Sequence, residues 1–130
     1  MAFNTGKWLG AAPGERRNFT VMLFVPSQAG DGVILDHEYW VDQALRVLTK
    51  LFGGATATSC EGAWRNDKRG QEIKREKITT VESFMPKSSW NSKNANELAT
   101  FLHRMGREGR QDEIGILVDD EYFPIVEYSK

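Results

Sequence analysis

The chain is poor in the residues that staple or activate small proteins. Cys60 is the single cysteine among 130 residues, which excludes an internal disulfide and suits a reducing, cytoplasmic setting. Histidine is nearly as scarce, with only His37 and His103. A zinc site takes three or four His, Cys or carboxylate ligands, so neither a metal nor a cofactor is expected. His37-Glu38-Tyr39-Trp40-Val41 starts like the zincin H-E-x-x-H and then puts valine where the second histidine belongs. Neither G-x-x-x-x-G-K nor G-x-G-x-x-G occurs, which removes both common phosphate loops. No apolar run reaches the roughly 20 residues that span a bilayer, and Gly6, Lys7, Gly10 and Pro13 to Arg17 interrupt any signal-like stretch. No membrane partner is expected. Excess charge is missing too: 17 Lys and Arg face 18 Asp and Glu, so attraction to nucleic acid would need a local patch.

What is present is enough apolar content, 40%, for one buried core. Residues 1–17 hold glycine, proline and little periodicity and are expected to form an extended N-terminal arm, leaving 18–130 as a single α+β domain. Asn18 to Val25 predicts a strand with apolar residues on both faces, Phe19, Val21, Leu23 and Val25 against Met22 and Phe24. Asp36 as N-cap, Leu35 and Trp40 at staple spacing, and the periodic Val41, Ala44, Leu45, Leu48, Leu51 and Phe52 predict a helix ended by Gly53. Trp40 is expected in the core.

Ala55 to Trp64 predicts a strand of small polar residues, and Arg65 to Gln71 a charged tip. Glu72 to Met85 predicts a returning strand whose first half is solvated. Asn94 and Glu97 have capping-box spacing for a second helix carrying Leu98, Phe101, Leu102 and Met105 and ending at Gly106 or Gly109. Ile114 to Val118 predicts a buried strand, Asp119-Asp120 a tight turn, and Tyr122 to Tyr128 a last strand that Pro124 pushes to the sheet edge.

This order, strand, helix, strand, strand, helix, strand, resembles the ferredoxin-like βαββαβ superfold, an antiparallel sheet with two helices on one face and here an extra C-terminal edge strand. The run Phe52-Gly53-Gly54-Ala55-Thr56, followed by Gly62-Ala63-Trp64 and a charged hairpin, is similar to small bacterial α+β proteins of unknown function. That resemblance implies a fold and no activity. With both helices on one side, the first strand's second apolar face needs cover. A second copy of the chain, giving a homodimer, is the expected cover, with the arm as its rival.

The first functional reading is therefore a non-catalytic binding or regulatory protein, whose small-molecule or protein partner the residues do not name. Small side chains leave room near Thr58, Cys60, Trp64 and Glu76, and the site is expected between the second strand and the helices. The alternative is a nucleic-acid-binding protein or small metal-dependent nuclease. It would use the basic hairpin 64–77, with Trp64 to stack and Arg65, Lys68, Arg69, Lys74, Arg75 and Lys77 to meet phosphates, and the acidic turn 119–121 to hold a cation. Edge protection by the same cations competes with that reading. Cys60 reads as a small core residue and His103 as a surface histidine near a helix end. Acid-base chemistry would require Glu61, Glu76, His103 and Arg104 to converge on one cleft.

Overall fold

A computed structural model describes residues 4–66 and 70–130. Within the arm, Thr5–Leu9 forms a single-turn helix, α1, which Gly10 closes in the left-handed region at φ 66°. The first strand is β1, Phe19–Val25, whose alternate residues are buried.

Helix α2, His37–Phe52, is built as its sequence dictates. The Asp36 carboxylate accepts the Tyr39 N–H at 3.2 Å, and Gly53, at φ 93°, donates to the Thr49 carbonyl at 2.9 Å. Trp40, Ala44 and Leu48 are buried against the sheet. Helix α3, Ser92–Glu108, starts earlier than the Asn94–Glu97 spacing predicts. Asn91, extended at φ -128° and ψ 170°, is the cap and accepts the Asn94 N–H at 2.9 Å. Asn94 lies in the first turn and donates to the Ser89 carbonyl. The helix also runs through Gly106, whose missing side chain makes room for the Tyr128 ring, and it ends at Gly109.

Strands β2 (Thr56–Asn66), β3 (Glu72–Met85), β4 (Ile114–Val118) and β5 (Glu121–Ile125) complete one antiparallel sheet in the order β2-β3-β1-β4-β5. This is the ferredoxin-like arrangement with β5 added at the edge. Val21, Leu23 and Val81 from the sheet meet Trp40 and Leu48 of α2 and Leu98, Leu102 and Met105 of α3 in one core, so both helices roof the same face. Asp119 and Asp120 form the two-residue turn between β4 and β5, with φ of 49° and 69°, the pair of positive values that a tight hairpin demands. Among the described residues no group of three or more His, Cys, Asp or Glu could hold a metal ion, and no helix is long and apolar enough to cross a membrane.

Candidate functional site

Strand pairing decides which side chains share the face that the helices leave bare. Trp64 pairs with Lys74, Gly62 with Glu76, Cys60 with Ile78 and Thr58 with Thr80. Phe24 also pairs with Thr80, Met22 with Leu117, and Leu117 with Tyr122. Partners across an antiparallel pair project to the same side, so all of these lie opposite the helices.

The row across this face is hollowed into a cavity of about 610 Å³, rimmed by the loop after β1 and the segment before β4. Two glycines allow it. A Cβ on Gly115 would fall 2.2 Å from the Tyr122 hydroxyl and 2.5 Å from its ring, so this ring lies directly over the β4 backbone. A Cβ on Gly62 would come within 3.0 Å of Ile78 and 3.6 Å of the Trp64 ring. Aromatic walls therefore stand at both ends, Trp64 on β2 and Tyr122 on β5, with Phe24 between them at 6.2 Å from Tyr122.

Glu76 is the buried one of three carboxylates that line this cavity, with Asp112 and Glu113 exposed at its rim, and is only 5% exposed. The loop after β1 folds back over it, and its Oε2 accepts the N–H groups of Ser27 at 2.8 Å and Gln28 at 2.7 Å together with the Ser27 hydroxyl at 3.3 Å. The loop thus clamps the carboxylate through one oxygen at the cavity wall. Burial, and then its hydrogen bond to Glu113 at 2.5 Å, push the Tyr122 hydroxyl well above the ordinary tyrosine range, so it stays protonated. The Lys74 ammonium lies 5.7 Å from the Trp64 ring centre and 3.5 Å from the Ala29 carbonyl.

Thr58, Cys60, Trp64 and Glu76 share one face, but it is the uncovered one, not the space between β2 and the helices. Register explains the correction: these even-numbered positions alternate with the core positions Thr79, Val81 and Ser83 of β3. Glu76 is also buried where a solvated half-strand was expected, because the loop at Ser27 and Gln28 closes on it. Cys60 is exposed and not in the core, because its register with Ile78 puts it on the face that the helices leave bare.

On the basic hairpin, Trp64, Arg65 and Lys74 border the cavity. Arg75 points to the other side, where its bond with Glu61 raises its pKa further. Lys77, paired with Glu61 across the ribbon, is exposed, and Lys68 and Arg69 lie outside the described residues. Glu61, Glu76, His103 and Arg104 do not converge. Glu76 is on the open face, while His103 and Arg104 belong to α3 behind the sheet, and His103 is buried there rather than at the surface. Phe24, Gly115, Glu113 and Tyr122 were not singled out from sequence as site residues. The available signal was Gly115 inside an otherwise apolar strand, a mark of close approach.

No protein-family profile matches the chain, and no curated protein sequence matches it. Solved structures do. A phage SAM lyase in complex with S-methyl-5'-thioadenosine aligns with a TM-score of 0.63 at 11% identity, over 86% of this chain and 92% of that one. What the two share is a fold. A phage SAM lyase in its apo state aligns with a TM-score of 0.57 at 13% identity, over 86% and 91% of the two chains.

Proposed function

We propose that the chain binds an adenosine-bearing thioether or sulfonium compound, of the class of S-methyl-5'-thioadenosine and S-adenosylmethionine, in the cavity on the uncovered sheet face. The observation that carries this reading is Glu76, a buried carboxylate that lines the cavity and is held there by the loop after β1 through one of its oxygens. A fixed negative charge among aromatic rings suits a compact cation such as a sulfonium, and equally a ribose hydroxyl. Trp64 and Tyr122 offer flat faces for a heterocycle, and about 610 Å³ is a volume typical of small-ligand pockets. Likeness of fold to a phage SAM lyase with the thioether bound supports the ligand class.

Conversion of S-adenosylmethionine to S-methyl-5'-thioadenosine would break a carbon–sulfur bond and leave its electron pair on sulfur, while the departing carbon gains a carbon–oxygen bond from the substrate's own carboxylate, closing a lactone. The product sulfur is neutral, so the grip of Glu76 weakens as the reaction proceeds. Calorimetric titration with both compounds, and chromatography for S-methyl-5'-thioadenosine released from S-adenosylmethionine, test the reading. Saturable binding is expected, weakened about tenfold or more in a folded Glu76→Gln variant. Folded protein that binds neither compound overturns it.

A second reading, a non-catalytic protein acting as a homodimer through the same face, is favoured by one observation. Away from the cavity that face continues into Met22, Leu117 and Phe84, and Phe84 is 52% exposed.

A further inference from the structure

The segment after β5 crosses back over α3 and is tied down at several points. The Tyr128 ring rests on Gly106, where an added Cβ would approach it to 2.3 Å, and meets the His103 ring edge-on at 6.0 Å. Its carbonyl accepts from Arg107 at 3.1 Å, and its hydroxyl donates to the Gln111 carbonyl at 3.0 Å. Last, the Lys130 N–H donates to Nδ1 of the buried His103 at 3.1 Å.

That final bond fixes a protonation state. An imidazole nitrogen accepts only while it carries no proton, so His103 must be neutral for the segment to lie as it does. A proton on Nδ1 would meet the Lys130 N–H head-on. It would also place a third positive charge beside Arg107, from the same helix, and Lys130, from the segment itself. Burial, and then Asp112 and Glu113, push the Tyr128 hydroxyl up, whereas the charges that act on His103 are the cations Lys130 and Arg107. Burial and these two cations together lower the His103 pKa.

A chain of hydrogen bonds leads from the segment to the cavity. Gln111, whose carbonyl holds Tyr128, donates through Nε2 to the Gln28 carbonyl at 2.7 Å. The Gln28 N–H in turn donates to Glu76 Oε2 at 2.7 Å. Only a short hydrogen-bonded path separates the histidine clasp from the carboxylate.

We propose that residues 126–130 form a clasp that opens when His103 takes up a proton, loosening the loop that holds Glu76. The effect on ligand affinity rests on the reading of the cavity given above, whereas the clasp itself does not. The sign follows from the lowered pKa. Closure contributes fully above the ordinary histidine value of about 6.5, and that contribution falls as pH drops through it, by tenfold for each unit of lowering.

Amide exchange of residues 126–130 in the ligand-free protein, corrected for intrinsic rates and compared at neutral and mildly acidic pH, tests the clasp. Exchange should rise severalfold on acidification in the native chain and should not rise in His103→Asn, which keeps an acceptor near the Nδ1 position and does not titrate. An equal rise in both overturns the proposal, as does no rise in the native chain. Affinity for S-methyl-5'-thioadenosine should fall over the same pH range, and Tyr128→Phe should flatten that dependence while its own tail exchange still responds to acid. A dependence unchanged in Tyr128→Phe refutes the link to the cavity. Absence of thioether binding at every pH refutes the cavity reading and leaves the exchange result standing.

Discussion

At the scale of the residue, the uncovered face depends on two glycines and one carboxylate. Gly115 is needed for what it lacks, since the Tyr122 ring occupies the space of its side chain. Gly115→Ala should displace that ring and break its bond to Glu113, at a cost of about 1–3 kcal/mol as overpacking usually exacts. Chemical denaturation measures this, and the same change made in a Tyr122→Leu background should cost distinctly less. A neutral Gly115→Ala would show that the ring does not lie over β4. Glu76 illustrates the opposite case, a polar group whose burial is made tolerable by three donors converging on one oxygen.

At the scale of the element, local chemistry was legible and contacts distant in sequence were not. Asp36 and Gly53 bracket α2 because caps act within a few residues, and Glu72 to Met85 and Ile114 to Val118 are strands over the ranges their composition marks. The spacing of Asn94 to Glu97 points to a start of α3 at Asn94, whereas the extended backbone and side-chain bond make Asn91 the cap. Fold class followed from element order. The candidate site followed only in part. Alternation along β2 placed Thr58, Cys60 and Trp64 together, but choosing their side of the sheet required the register with β3. Nothing near Glu76 in the chain announces its burial, because the loop that covers it lies 48 and 49 residues away. His103 looked like a rim residue for the same reason, its cover arriving from the end of the chain.

At the scale of the whole molecule, one face of the sheet is roofed by two helices and the other carries a cavity beside an apolar patch. Those are different surfaces and can be tested apart. If the patch pairs copies of the chain, light scattering should give twice the single-chain mass, reverting to one chain in Phe84→Asp with the fold retained. A single-chain mass for the native protein at high concentration would refute the pairing. The cavity should persist in either state.

Its most direct test is a heteronuclear NMR titration with S-methyl-5'-thioadenosine. Shifts are expected to cluster on Phe24, Gly62, Trp64, Glu76, Gly115 and Tyr122, with the outward faces of α2 and α3 silent. Shifts confined to the helices, or none at saturating concentrations, would contradict a ligand site on the bare side of the sheet.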